Sequence, residues 1–331
     1  MKLSDLTIVV CCNKKDFFLA KICIASIRYF YPKINIELVK DAGNGRFNTN
    51  DLEKYFNVRV TDLGIPKMGW SGAKFHYLYK NSKGKKVLIL DADIVFTGPF
   101  LERLLPVIES NDYVVSVEEQ ADPNANWVKE IYFDIDVIKS AYPAYVYPGF
   151  FFNAGQIFLT VGSIDEDVLN KFFNKNVFPF WINQRVFPLV DQSVYNYLLP
   201  TLQRKNKITL GTEKFMLWGN CKEVLEISLN SVKGKTLELG LIHWAGCTRN
   251  EYLAKMVRSD ILIFFEKKYY SKLPGGILKR FFKNTIAISY YTGKNIYKSL
   301  LKIIVGMLKM TSKSLVRIKF LKKLPNTWPN V

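Results

Sequence analysis

The sequence predicts an α/β fold: a mostly parallel sheet with helices on both faces. Three observations predict it. Apolar runs rich in β-branched residues alternate with stretches of helical periodicity from Thr7 to Leu90. The last of these runs ends at Asp91, and in open α/β sheets ligands sit at the carboxyl ends of strands. The 331 residues are 49% hydrophobic and 23% charged, enough core for one large α/β domain with an appendage and too apolar for wholesale disorder.

Thr7–Cys12 is a short apolar strand. Phe17–Tyr31 has helical periodicity and stops at Pro32, which disfavours the helical conformation in the residue before it. Ile34–Lys40 alternates as a strand, Asp51–Phe56 is helical and Val58–Thr61 is a strand. Ser71–Tyr79 reads as a helix with Ser71 as its cap, and Lys85–Leu90 as the apolar strand before Asp91. This βαβα rhythm is what calls for the parallel sheet. Further strands are expected at Tyr113–Val117, Gly155–Val161 and Thr236–His243, and helices at Glu166–Asn174, Gln192–Leu199 and Glu251–Tyr269. Glu118–Pro148 has weak periodicity and many Tyr and Pro, and reads as a long active-site excursion. Pro274, Gly275 and Gly276 mark a boundary between a domain over 1–272 and a basic helical tail over 273–331.

Charge is unevenly spread. The formal net charge is +18, but residues 267–331 hold 15 Lys and Arg and no acid, so the first 266 residues carry only +3. A body coated with nucleic-acid-binding charge is thereby disfavoured. Five scattered cysteines form no CxxC pair and no disulfide framework, and read as reduced thiols. The apolar run Leu6–Cys12 is too short for a signal peptide. The uncharged stretch Ser140–Ile164 is broken by Pro143, Pro148, Gly149, Asn153, Gly155 and Gln156, which argues against a membrane span. A cytoplasmic protein is expected, with any membrane contact made from the surface.

Four motifs carry the chemistry. In VLILDADIVFTGPF, a strand runs into Asp91-Ala92-Asp93. Side chains at i and i+2 of an extended segment share a face, and two carboxylates there repel unless a cation joins them. A divalent metal held this way can face a diphosphate; alternatively, one Asp simply caps the next helix. Next, in Gly149 to Gly155, Asn153 stands beside the small residues Ala154 and Gly155 before a strand, either an ordinary turn or a close approach to ligand. Then Asp191-Gln192 opens a helix, where Asp191 is also a natural cap. Finally, in LGLIHWAG, His243 ends an apolar strand. A lone histidine there is usually a core residue; a nearby carboxylate pair makes it a third-ligand candidate. His76, mid-helix, reads as packing.

The order DAD, FNAG, DQ, HWAG over residues 5–250 resembles the GT-A fold glycosyltransferases, most like family 8, which includes glycogenin and bacterial lipooligosaccharide galactosyltransferases. The resemblance implies a nucleotide-sugar donor, usually a UDP-sugar, a manganese or magnesium ion, and transfer with retention. It implies that Asp91, Asp93 and His243 hold the metal, and that Lys74 meets the donor. By the same resemblance Asn153 lies near the donor sugar, and Asp191 and Gln192 beside the reacting carbon. Asn13 would meet the nucleotide base, and Arg249 keeps the spacing of a phosphate-binding cation, although the family's following PW is absent here. No strong nucleophile is offered on the opposite face, so Asp191 or Gln192 would stabilise an oxocarbenium-like species or support attack from the leaving-group side.

In the tail, Lys294, Lys298, Lys302, Lys309 and Lys313 fall within an arc of about 100° on a helical wheel, with aliphatic residues elsewhere. That is the pattern of a helix lying on an anionic membrane; packing on the body is the alternative. The expectation is a peripheral enzyme on the inner face of the membrane, acting on a lipid-linked or cell-envelope glycan. A non-catalytic nucleotide-sugar binder and a nucleic-acid-associated protein are the other readings.

Overall fold

The computed structural model describes residues 1–41, 45–62, 72–80, 82–118, 121–173, 183–237 and 240–311, with side chains at all of these except 76, 79–80 and 294–311. The chain divides into two compact units, Met1–Leu278 and Lys279–Val331.

The elements run β1 (Leu6–Asn13), α1 (Phe17–Phe30), β2 (Asn35–Asp41), α2 (Asn50–Phe56), β3 (Val58–Asp62), α3 (Gly72–Lys80), β4 (Lys86–Asp91), β5 (Ile94–Phe96) and α4 (Leu101–Ser110). They continue through β6 (Tyr113–Glu118), α5 (Asn126–Ile131), α6 (Ile135–Ala141), β7 (Phe151–Thr160), α7 (Glu166–Leu169) and α8 (Val190–Arg204). The remainder are β8 (Leu210–Glu213), β9 (Met216–Trp218), α9 (Lys222–Glu226), α10 (Leu229–Gly234), β10 (Leu241–His243), α11 (Ser259–Ser271) and α12 (Gly276–Thr311).

Among the described residues the main sheet has seven strands in the order β3-β2-β1-β4-β7-β6-β8. β3, β2, β1 and β4 are mutually parallel, β7 is antiparallel to both β4 and β6, and β8 is parallel to β6. A small sheet, β5-β10-β9, stands beside it. The apolar runs of β1 and β4 follow from burial on both faces. Ile8, Val10, Leu88 and Leu90 pack in one core with α1 and α11, while Val9, Val87 and Ile89 pack in a second with Phe75, Tyr77 and Val194. Both sets are fully buried, so the central residues of these strands have apolar neighbourhoods on both faces.

Local chemistry explains the helix ends on the way to the site. α1 gives way at Tyr31, ahead of Pro32. α2 stops at Asn57 in the left-handed region, φ 48°, which asparagine tolerates. The buried Arg28 guanidinium closes this corner by donating to the carbonyls of Ile34, Phe56 and Asn57.

Several boundaries differ from the sequence expectation. The strand expected from Gly155 begins at Phe151, because the end of β6 pairs beyond the reach of β4, Val117 with Phe152 and Glu118 with Phe151. FNAG is therefore strand, not turn. Of Thr236–His243, the strand covers Leu241–His243 among the described residues, and 238–239 lie outside them. The helix expected over Glu251–Tyr269 is a 3-10 turn followed by α11, interrupted where Arg258 adopts φ 51°. Of Glu166–Asn174, the helix covers Glu166–Leu169, and residue 174 lies outside the described residues. The Glu118–Pro148 excursion contains α5 and α6. Ser71, the expected cap, and Lys313 lie outside the described residues. The cysteines are free thiols, Cys12 and Cys23 buried and the other three half-buried.

The second unit contains most of α12, a helix of 36 residues. Phe281, Phe282 and Ile286 on it are exposed at 64%, 61% and 70%. No described helix is long and apolar enough to cross a membrane.

Candidate active site

The site forms where the two sheets meet. β4 ends at Asp91 and β5 begins at Ile94, so Asp91-Ala92-Asp93 is the turn by which the chain leaves the main sheet for the small one. This corrects the expectation of an extended segment. A turn and a third residue bring the carboxylates together, not a shared strand face. Ile94 pairs with His243, and the Trp244 N–H donates to the Asp93 carbonyl at 3.0 Å. That register sets the imidazole between the carboxylates, with Nε2 3.2 Å from Asp93 Oδ1 and 3.8 Å from Asp91 Oδ2. One ligand atom from each of the three residues lies within 4.8 Å of the others. The Trp218 ring stacks on His243, centroids 5.5 Å apart and 13° from parallel.

Each carboxylate divides its oxygens. Asp91 Oδ1 accepts from Lys74 Nζ at 2.8 Å, and Asp93 Oδ2 accepts from Arg249 at 2.6 Å. The other oxygens, with His243 Nε2, face one another. Burial pushes the Asp93 carboxyl up, but His243 and Arg249 outweigh it and hold the group at about 2. Lys74 rises from α3 and is 2% exposed. Its ammonium also reaches Asp191 Oδ2 at 2.8 Å and the Ala154 carbonyl at 3.0 Å, so each of its three N–H bonds has an acceptor. Burial would lower this lysine, yet Asp191 and Asp91 raise it well above the usual lysine range. Arg249 continues outward to Asp16 Oδ1 at 2.7 Å. Asp16 Oδ2 in turn accepts from Asn13 Nδ2 at 3.0 Å, and Asn13 Oδ1 caps the turn after β1 by accepting from the N–H groups of Lys15 and Asp16.

Charge then decides what the cluster can hold. Asp16, Asp91, Asp93 and Asp191 are joined to the two cations Lys74 and Arg249. Two negative charges are left over among these six groups. Burial pushes the Asp91 carboxyl up in spite of Lys74 and His243, and at this point two carboxylate oxygens and an imidazole nitrogen converge, a hard donor set that fits Mn2+ or Mg2+.

On the far side, α8 grips β7. The Gln192 amide accepts from the Ala154 N–H and donates to the Phe152 carbonyl, both at 2.7 Å. Asn196, one turn on, accepts from the Phe152 N–H at 3.0 Å and donates to the Phe152 carbonyl at 2.8 Å. Gln192, expected to face the reacting sugar, has both ends of its amide engaged with backbone. Asn153, between the gripped residues, is 3% exposed and directs Oδ1 to His243 Nδ1 at 3.0 Å.

The structure thus gathers Lys74, Asp91, Asp93, Asn153, Asp191, Gln192, His243 and Arg249, with Asn13 linked through Asp16. Sequence reasoning missed Asp16, Asn196 and Trp218. Asn196 was within reach, because it lies four residues after Gln192 on the same helix face.

Residues 7–168, just under half of the chain, match the family model of glycosyl transferase family 2. The sequence has no significant match among curated proteins. Among solved structures, the chain is similar to apo WbbM, a bifunctional glycosyltransferase, at 15% identity and TM-score 0.51, over 85% of this chain and 52% of WbbM, about half the length of that protein. It is also similar to the galactosyltransferase LgtC in complex with donor and acceptor sugar analogues, at 15% identity and TM-score 0.47, over 80% of this chain and 95% of LgtC. Streptococcus pneumoniae TIGR4 GlyE aligns at 12% identity and TM-score 0.44, over 88% and 64% of the two chains. At such identities the likeness is one of fold. With the strand order, the carboxylate pair at the end of β4 and the family-model match, the chain is a glycosyltransferase of the GT-A fold.

Proposed function

We propose that the chain transfers a sugar from a nucleotide-sugar, most simply a UDP-sugar, to a lipid-linked or cell-envelope glycan, and that it requires Mn2+ or Mg2+. The observation that supports this most strongly is the convergence of two carboxylate oxygens and an imidazole nitrogen at Asp91, Asp93 and His243. The ion, held by Asp91 Oδ2, Asp93 Oδ1 and His243 Nε2, would neutralise charge on the departing nucleoside diphosphate. The protein's own groups then have separate tasks. Lys74 pairs with both Asp91 and Asp191 and holds the two carboxylates at fixed distance. Arg249 holds Asp93 and is the exposed cation, 40% accessible, that can turn to a phosphate. Asn13 and Asp16 border the nucleotide end. Asp191 lies in this reading beside the reacting sugar, with Gln192 holding β7 behind it.

We read the transfer as retaining, as in family 8. Double displacement needs a free nucleophile, and Asp191 is paired with Lys74 while the Gln192 amide is engaged. Attack from the leaving-group side is the route consistent with that pairing. A product NMR spectrum reads the anomeric configuration, and inversion would move the chain away from family 8 chemistry.

The tail is assigned in the same reading to an anionic membrane surface. Support comes from the exposed Phe281, Phe282 and Ile286 and from 12 basic residues without an acid over 273–331. The apolar side chains would enter the interface while the lysines meet lipid headgroups, which keeps the enzyme peripheral on the inner face. Transfer assays of purified protein with a panel of nucleotide-sugars, with and without Mn2+, test the function. Binding of a donor without turnover on any glycan acceptor would favour a nucleotide-sugar binding protein instead.

A further inference from the structure

The geometry points to Asn153 as a positioning residue that sets the tautomer of His243 and so creates the nitrogen ligand of the cation site. The inference rests on the metal reading above and adds to it what FNAG does in this chain.

Which end of the Asn153 amide is oxygen follows from its partners. The Gly155 N–H, a donor that cannot accept, reaches Asn153 Oδ1 at 2.7 Å. An amide nitrogen there would face another donor, so the oxygen assignment is forced. The same oxygen lies 3.0 Å from His243 Nδ1. An amide oxygen can only accept, so Nδ1 carries the hydrogen. In the neutral ring the lone pair is then on Nε2, the atom that faces Asp93 Oδ1 and Asp91 Oδ2. A lone pair aimed at two carboxylates is repelled unless a proton or a cation lies among them, and a bound metal ion takes the proton's place. A metal-bound histidine commonly donates its other N–H to an acceptor of this kind.

Two features keep the acceptor in place. Gln192 and Asn196 hold the backbone at Phe152 and Ala154, on either side of Asn153. Gly155 leaves room for the ring. A Cβ there would overlap His243 Cε1 and lie 2.9 Å from Asp91 Oδ2. Any side chain at 155 would push the imidazole off the ligand position. Both lone pairs of Asn153 Oδ1 are occupied, by Gly155 and His243, so only its amide nitrogen is left to meet a donor sugar.

The test measures Mn2+ binding by calorimetry on the full chain, with no donor present. Wild type should bind, Asp93→Ala should not, and Asn153→Ala should bind about 10- to 100-fold more weakly, the usual effect of removing a ligand's hydrogen-bond partner. Asn153→Asp keeps an acceptor for Nδ1 and should bind close to wild type. If Asn153→Ala binds like wild type, or Asn153→Asp loses as much as Asn153→Ala, the positioning role is wrong while the metal reading stands. If wild type itself binds no Mn2+, the metal reading fails first. Should the variants fold poorly, ring 15N NMR of Mg2+-loaded wild type decides. The sequence has two histidines, so His243→Ala assigns the signals. Protonated Nδ1 supports the inference, and protonated Nε2 overturns it.

Discussion

Lys74→Met removes the ammonium that Asp91 and Asp191 share, while keeping most of the side-chain volume. Lys74 is 2% exposed and lies 2.8 Å from each carboxylate. Breaking a buried ion pair by deleting one partner costs about 3 to 5 kcal/mol, because the remaining charge is left uncompensated. Here the Asp191 side chain is 11% exposed and that of Asp91 is 36% exposed, so water relieves part of the cost at Asp91. The lower end, about 3 kcal/mol, is therefore expected. At roughly 2 to 4 °C per kcal/mol for a large domain, the unfolding midpoint should fall on the order of 10 °C. The assay is thermal unfolding of metal-free protein, repeated with saturating Mn2+. The cation should restore part of the loss, since it compensates Asp91 but does not reach Asp191. Transfer should fall together with stability. An unchanged midpoint with full transfer would refute the reasoning, because the ammonium would then be neither counter-ion nor strut.

Gln192→Ala leaves the Ala154 N–H and Phe152 carbonyl without this partner, at about 1 to 3 kcal/mol for a group left unsatisfied; it should lower turnover more than donor affinity, and equal loss of both in steady-state kinetics would contradict that. Asp93 has its folded-state value lowered to about 2, below the unfolded value of about 3.9, so its contribution is complete above pH ~4 and is lost as pH falls toward ~2. Acid unfolding of metal-free Asp93→Asn should lack that component, worth about 2 kcal/mol, and identical curves for the two proteins over this window would count against the assignment. Deleting residues 277–331 should reduce co-sedimentation with anionic vesicles while sparing transfer to a short soluble acceptor, because the loss is of local concentration; equal partitioning of both forms would remove the membrane role.

How much of this was readable in the sequence depended on the range of the interactions. β1 and β4 were readable because burial on both faces writes itself as an unbroken apolar run, and the DAD motif because it follows one, although its turn was expected as extended backbone. His243 stood out as the end of an apolar strand and a third ligand for the carboxylate pair, but its ligand geometry depends on pairing with Ile94 across the small sheet, which no local pattern shows. FNAG was placed before the strand rather than within it, because its strand character comes from β6, distant in sequence. The helix over Glu251–Tyr269 was drawn too long because hydrophobic periodicity runs on through Arg258, whose left-handed backbone breaks it. The grip of Gln192 and Asn196 on β7, and the link from Asp16 to Arg249, are side-chain contacts between distant segments, and no local pattern announces them.

The central claim is that a divalent cation among Asp91, Asp93 and His243 enables sugar transfer from a nucleotide-sugar. It is tested most directly by measuring nucleotide release from the cognate donor as Mn2+ is titrated into chelator-treated protein, for wild type, Asp93→Ala and His243→Ala. The account predicts activity that appears with Mn2+ in wild type, is absent in Asp93→Ala while its unfolding midpoint stays near wild type, and needs more Mn2+ in His243→Ala. Full activity of chelated wild type, or wild-type turnover by Asp93→Ala at limiting Mn2+, would contradict it.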